Sequence, residues 1–270
     1  MLLSPDDAVL IEIQNVEVER GGNKILAVEN WKLRRGQHWA ILGPNGCGKT
    51  TLLNVACGYV WPNEGQVLRM GETLVDLREL RKSIGWVVGA ISHDIPPEEA
   101  AVETVLSGRY AQLGLEVYGD QVLDPAELDE ARELLRQMKC EALADKKFST
   151  MSQGEKQQVL VARARMADPI MIVLDEPCTS MDPGVRERFL NWVQEIASQP
   201  ESPAMVMVTH HVEEIMPGFE STLIMKNGRI LASGATQSVI TPEALTELYG
   251  VGIERLDRIH GRNWVVWKTV

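Results

Sequence analysis

No stretch of this 270-residue chain approaches the run of about twenty apolar residues that a membrane-spanning helix needs. Basic residues are in the minority: 27 Lys and Arg stand against 38 Asp and Glu, which leaves a net charge of −11. A nucleic-acid surface meets phosphates with clustered Lys and Arg, so this balance argues against nucleic acid as a partner. The opening, Met1-Leu2-Leu3-Ser4-Pro5-Asp6-Asp7, lacks the basic stretch and the long apolar stretch of a secretory leader. Cysteine is scarce. Cys47, Cys57, Cys140 and Cys178 are scattered without metal-ligand spacing and read as reduced thiols of a cytosolic protein. Internal repeats, low-complexity tracts and long linkers are also missing. What remains is a hydrophobic content of 44%, enough for one large domain or two lobes with a real core.

Against that background one run stands out. Gly43-Pro44-Asn45-Gly46-Cys47-Gly48-Lys49-Thr50 fits the phosphate-loop pattern G-x-x-x-x-G-K-[ST]. Glycines let successive backbone N–H groups turn inward around phosphate oxygens. Lys49 can reach the β- and γ-phosphates, and the Thr50 hydroxyl can ligate Mg²⁺. The flanks agree: His38–Leu42 reads as a buried strand, and Thr50-Thr51-Leu52-Leu53 opens a helix whose positive end adds to the anion site. The run therefore predicts nucleoside triphosphate binding.

The rest of the chain organises around it. Ile11–Val18 alternates apolar and polar residues as a half-buried strand, and Lys24–Leu33 returns after the Gly21-Gly22-Asn23 turn. With the short strand Gln66–Met70 these form an antiparallel layer. Ile84–Val88, Ile170–Leu174 and Ala204–Val208 are continuously apolar, as strands of a parallel sheet covered on both faces are. Between about Pro97 and Ala167 the pattern is helical. Asp124-Pro125-Ala126-Glu127 starts one helix with a capping box, with Leu128, Ala131, Leu135 and Met138 on its apolar face. Asp182-Pro183 starts another, facing the core through Val185, Phe189, Val193 and Ile196. Thr241-Pro242 opens a third between strand-like runs at Leu223–Ala232 and Val265–Val270.

Three polar clusters lie at or near strand ends, where open α/β sheets bind ligands. The phosphate loop is one. Asp175-Glu176 is the second: Asp175 can hold Mg²⁺, and Glu176 can act as general base on a water. Thr209-His210 is the third, with His210 placed to hydrogen-bond a γ-phosphate. Carboxylates also end many strands simply as caps. Ser152-Gln153-Gly154-Glu155 is a capping box, and a capped helix start with a glycine also favours an anion.

The order Gly43–Thr50, Met151–Glu155, Ile170–Glu176, Ser180-Met181-Asp182 and Thr209-His210 resembles the ATP-binding cassette (ABC) ATPase family over nearly the whole chain. The resemblance implies a Walker A loop, signature, Walker B strand, D-loop and switch histidine, in that order. It implies an α/β P-loop NTPase core with an N-terminal antiparallel β layer and an inserted helical subdomain. The core lobe would comprise residues 1–96 and 168–270, and the helical lobe 97–167. It further implies hydrolysis of ATP with Mg²⁺ and a head-to-tail homodimer. Each ATP would lie between the phosphate loop of one subunit and Ser152 and Gly154 of the other, with Asp182 nearby. The helical lobe would dock on membrane permease subunits at the cytoplasmic face, and the run after Gly228-Arg229 looks like that of importer-type subunits.

The chain also departs from the family. Arg20 stands where an aromatic usually stacks on adenine; a guanidinium plane can stack on a purine too, and the alternative is a solvated strand-end arginine before a Gly-Gly turn. The usual glutamine after Ile84–Val88 is absent, its place falling near Gly89 or Ser92. The signature reads Met-Ser-Gln-Gly-Glu. Cys47 lies in the positive field of the loop, which favours thiolate, although a small filler residue explains its presence as well. Two other readings fit the same motifs: a soluble cassette ATPase working on ribosomes or in repair, and a regulatory nucleotide-binding module.

Overall fold

The computed structural model describes residues 8–115 and 124–269. The opening Met1–Asp7, residues 116–123 of the expected helical lobe, and Val270 at the end of the last expected strand lie outside the described residues.

In chain order the chain forms β1 (Val9–Arg20), β2 (Asn23–Arg34), β3 (His38–Leu42), α1 (Lys49–Ala56), β4 (Glu64–Arg69), α2 (Leu77–Lys82) and β5 (Ile84–Val88). There follow α3 (Ala101–Ser107), α4 (Pro125–Gln137), α5 (Gln153–Met166), β6 (Met171–Asp175) and α6 (Pro183–Ala197). Then come β7 (Ala204–Thr209), β8 (Ser221–Lys226), β9 (Arg229–Ala235), α7 (Thr236–Val239), α8 (Pro242–Tyr249), β10 (Ile253–Ile259) and β11 (Arg262–Trp267). These elements fall into two units. One comprises the described residues up to Arg81 and from Ala197 onward; the other runs from Lys82 to Ile196.

In the first unit the strand order is β4-β1-β2-β9-β8-β3-β7. β1 alternates in burial as its sequence does, and pairs antiparallel with β2 (Ile13↔Trp31) and with β4 (Ile13↔Val67). β3 runs parallel to β7 (Ile41↔Val208) and to β8 (Ile41↔Leu223). All six residues of β7 are buried, the condition that a continuous apolar run meets and an alternating one does not. The antiparallel layer is joined edge to edge with this core. β8 and β9 form a hairpin turning at Asn227-Gly228, both at positive φ, and β9 meets β2 in parallel at Ala27↔Arg229. β10 and β11 form a separate two-stranded sheet.

Helix α1 is held at its far end by a residue from a strand. Arg69 of β4 is 2% exposed and donates to the carbonyls of Ala56 (Nε, 2.9 Å) and Val55 (Nη2, 2.7 Å). The last carbonyls of a helix lack intrahelical donors, and charge-assisted bonds of this kind contribute roughly 1.5–3 kcal/mol each.

In the second unit β5 and β6 are parallel, from Ile84↔Met171 to Val88↔Asp175. Helix α5 presses on β5 at Gly85, where a Cβ would stand 2.8 Å from that of Ala164. Ala131, Leu135 and Met138 on and just after α4 are buried, as are Phe189, Val193 and Ile196 of α6. The Asp124 side chain accepts the Ala126 N–H at 2.9 Å. The expected capping box at Glu127 does not form; that carboxylate accepts the Tyr110 hydroxyl instead. A neighbouring helix offers a competing donor, which sequence spacing does not reveal.

Candidate functional site

The phosphate loop leaves β3 with its shape imposed by backbone. Gly46 (φ 76) and Gly48 (φ 105) are left-handed, a region that costs a side chain 1–2 kcal/mol or so. Gly43 has no room for a side chain: a Cβ there would stand 2.5 Å from the Met225 carbonyl oxygen and 2.6 Å from the Cys47 sulfur. The β8–β9 turn closes over the loop, with Gly228 N–H donating to Cys47 O at 2.8 Å. Pro44, Asn45 and Gly46 form the half-buried to exposed tip, and Pro44 O accepts the Cys47 N–H at 3.3 Å. Lys49 is 5% exposed, its Nζ donating to the carbonyls of Gly43 (2.7 Å) and Pro44 (3.1 Å). The ammonium is thus folded into the loop.

Helix α1 starts from Gly48 with no side-chain cap and no acidic residue in its first turn. The first N–H groups of a helix need an acceptor, and here the chain supplies a positive end for an outside anion. Thr50 is exposed in that first turn and Thr51 half-buried. These features fit phosphate oxygens. Each unit carries a hard oxygen donor of the kind Mg²⁺ takes together with substrate phosphates: the exposed Thr50 hydroxyl in the first and the half-buried Asp175 carboxylate in the second. Among the described residues, no group of three or more His, Cys, Asp or Glu forms a cation cage of its own.

The positive field does not make Cys47 a thiolate. The residue is 5% exposed, and burial pushes its thiol above the ordinary range against the pull of Lys49. Desolvation of the charged form outweighs the nearby charge. Its sulfur occupies the space a Cβ on Gly43 would need, 2.6 Å from where that atom would stand.

His210 follows β7 directly. Thr209 O accepts the Gly43 N–H at 3.3 Å, so the strand end carrying His210 is tied to the start of the phosphate loop. The His210 and His211 rings lie 4.2 Å apart. Arg20 is exposed at the end of β1, opposite Asn23 across the Gly21-Gly22 turn.

The second unit carries the remaining candidates. Asp175 ends β6, half-buried, and Glu176 follows at φ 49. A glutamate in the left-handed region is uncommon and is held there by its surroundings. The turn after it is closed by Thr179 N–H to Glu176 O (3.2 Å) and Met181 N–H to Cys178 O (3.1 Å). Asp182 caps α6, its Oδ1 accepting the Val185 N–H at 3.0 Å.

At the start of α5 the expected capping box is formed. Ser152 Oγ accepts the Glu155 N–H at 3.3 Å, and Glu155 Oε2 accepts the Ser152 N–H at 2.7 Å. Both Glu155 oxygens also accept from Lys146, at 2.9 and 2.8 Å. Burial works to raise the Glu155 carboxyl, but Lys146 and Ser152 outweigh it and hold it below the usual range. Gly154 is buried, and a Cβ on it would stand 2.6 Å from Val185 Cγ1, so the glycine answers to close packing of α6.

Some residues escaped the reading of motifs. Gln157, one turn beyond Gly154 on α5, is 5% exposed, and its Oε1 has no hydrogen-bond partner among the described residues. Its Nε2 lies 4.0 Å from where a Cβ on Gly89 would stand. A glutamine from another element thus reaches the stretch after β5 where the family pattern has one of its own. The spacing from Gly154 was the available signal. Tyr249, whose hydroxyl donates to His210 O at 2.8 Å, carried none.

A glycine-shaped loop between a buried strand and an uncapped helix, in a mixed sheet with parallel central pairs, defines a P-loop nucleotide-binding α/β protein. The ABC transporter family model matches residues 26–179, and the chain belongs to that family. It is similar to the ABC transporter ATP-binding protein YlmA of Bacillus subtilis, 37% identical over 251 residues, covering 92% of this chain and 94% of that protein. The fold is that of cbiO1 from Clostridium perfringens, described as part of the ABC transporter complex cbiONQ (TM-score 0.75, 22% identity, 89% of this chain and 94% of that one). It is shared with the cassette MJ0796, a dimeric structure in a post-hydrolysis state bound to ADP and Pi (TM-score 0.63, 24% identity, 84% and 99% covered). The protein is an ABC transporter ATP-binding subunit and an ATPase. No helix among the described residues is long and apolar enough to cross a membrane.

Proposed function

We propose that this chain is the ATP-hydrolysing subunit of an importer-type transporter, driving a partner permease from the cytoplasmic face through ATP-dependent dimerisation. The observation that carries the reading is Lys49, buried inside a loop whose left-handed glycines open onto the uncapped start of α1. That loop, Gly43 to Thr51, cradles the phosphates with its N–H groups, and Lys49 turns from the Gly43 and Pro44 carbonyls to the phosphate oxygens. Thr50 and Asp175 would each offer an oxygen to Mg²⁺, which when bound would supply positive charge to offset that of the phosphates. Glu176 takes the proton of the attacking water, and His210 donates to the γ-phosphate. Arg20 stacks on the adenine. Ser152 and Gly154, with Asp182, meet the ATP held by the partner subunit, as the dimeric state of MJ0796 supports by analogy of fold.

The test is steady-state ATPase activity of the wild type and of Glu176→Gln. The variant is expected to keep ATP affinity, lose turnover at least a hundredfold or so, and elute as a dimer with ATP. Undiminished turnover removes Glu176 from its role, and a monomer at every ATP concentration removes the dimer.

A further inference from the structure

The stretch after β7 that carries His210 is gripped by elements much later in the chain. The Tyr249 hydroxyl, at the end of α8, donates to the His210 carbonyl at 2.8 Å. The Tyr249 ring stands edge-on to Trp267 of β11, with centroids 5.4 Å apart at 86°. Arg262, at the start of β11 and 8% exposed, donates through Nε to the Glu213 carbonyl at 3.0 Å. Its guanidinium lies over the Trp264 ring, 4.9 Å from the centroid. Inside the stretch, His211 N–H donates to Thr209 Oγ1 at 3.0 Å, and the Thr209 hydroxyl donates to Glu214.

The two contacts from outside both fall on backbone carbonyls of the stretch, one from Tyr249 of α8 and one from Arg262 of the β10–β11 hairpin. A bond to the His210 carbonyl fixes the peptide plane next to the Cα that bears the imidazole. A bond to the Glu213 carbonyl fixes the same stretch three residues on. Burial, aided by the charge of Glu213, pushes the Tyr249 phenol above its ordinary range, so it stays protonated as a donor.

We propose that α8 and the β10–β11 hairpin form a brace that sets the position of His210, with Tyr249 as a positioning residue for hydrolysis. The proposal rests on the reading of His210 as a γ-phosphate contact. Tyr249 acts through the backbone of His210.

The test uses the full chain. Tyr249→Phe keeps the ring against Trp267 and removes only the hydroxyl. kcat is expected to fall about two- to tenfold, the worth of one neutral hydrogen bond acting on the barrier. KM, and the Kd for a fluorescent ATP analogue, are expected to stay within about twofold, which a general loss of structure would not allow. In a His210→Ala background the same substitution is expected to cost nothing more, because its route is already cut. Unchanged kcat in Tyr249→Phe, with a fall in His210→Ala, overturns the brace and leaves the site reading intact. Equal falls in both backgrounds also overturn it, since Tyr249 then acts elsewhere. Wild-type turnover in His210→Ala overturns the site reading and the brace together.

Discussion

The backbone N–H of Gly228 donates to the carbonyl oxygen of Cys47 at 2.8 Å, so a β-hairpin turn from late in the chain is bonded to the phosphate loop. The same turn is bonded to β2, Ala27 N–H donating to Gly228 O at 2.7 Å. The loop is therefore shaped from two sides, by its own glycines and by the backbone of the β8–β9 hairpin.

Gly43→Ala meets that hairpin directly. Its Cβ would stand 2.5 Å from the Met225 carbonyl, a backbone atom that cannot swing aside as a side chain can. We expect the loop to shift and the affinity for ATP to fall about tenfold or more, because N–H groups must point at the phosphates to bind them. Titration with a fluorescent ATP analogue checks this, and an unchanged Kd contradicts it.

All four cysteines are buried, and burial pushes the Cys57 and Cys140 thiols up to about 12. With Cys47 raised as well, a maleimide at pH 7 is expected to leave the folded protein unlabelled and to label all four sites in denaturant. Peptide mass spectrometry of the two samples decides it. Rapid labelling of Cys47 in the folded protein would restore the thiolate expectation that its burial overturns.

The left-handed backbone at Glu176 makes a stability prediction that turnover alone cannot. Glu176→Ala and Glu176→Gly both remove the carboxylate, but only glycine relieves φ 49. The glycine variant is expected to be the more stable of the two by about 1 kcal/mol, a few degrees in Tm, whatever the effect of either on hydrolysis. Equal melting temperatures would show that the backbone there is unstrained.

His38 ties pH to stability. Burial holds its imidazole below the ordinary 6.5, against the upward pull of the Ala197 backbone and of Glu220. Its Nδ1 accepts the Met205 N–H at 3.2 Å, a bond that protonation would break. The unfolded chain therefore takes up a proton first as pH falls. The contribution is intact above about pH 6.5 and is lost as pH drops below it toward the folded pKa. His38→Asn, which can still accept from Met205, is expected to show a smaller fall in Tm between pH 7.5 and 5.5 than wild type. Parallel falls in the two proteins would remove His38 as the source.

What the sequence by itself determined is local. The phosphate loop, the β5, β6 and β7 strands, and the Ser152 capping box are each written in a short run. Glycine spacing, unbroken apolar stretches and an N-cap three residues before a Glu act through neighbouring backbone. The tertiary structure decided the rest. Whether Cys47 is a thiolate depended on burial against Lys49, and burial prevails. Whether Glu127 closes a box depended on Tyr110. The residues that meet these segments come from far away in the chain: Arg69 at the end of α1, Met225 and Gly228 at the phosphate loop, and Tyr249 at the His210 carbonyl. Their contacts are hydrogen bonds to backbone, or close approaches to it. A carbonyl carries no mark of its partner in the residue type, so only the folded chain reveals who supplies it.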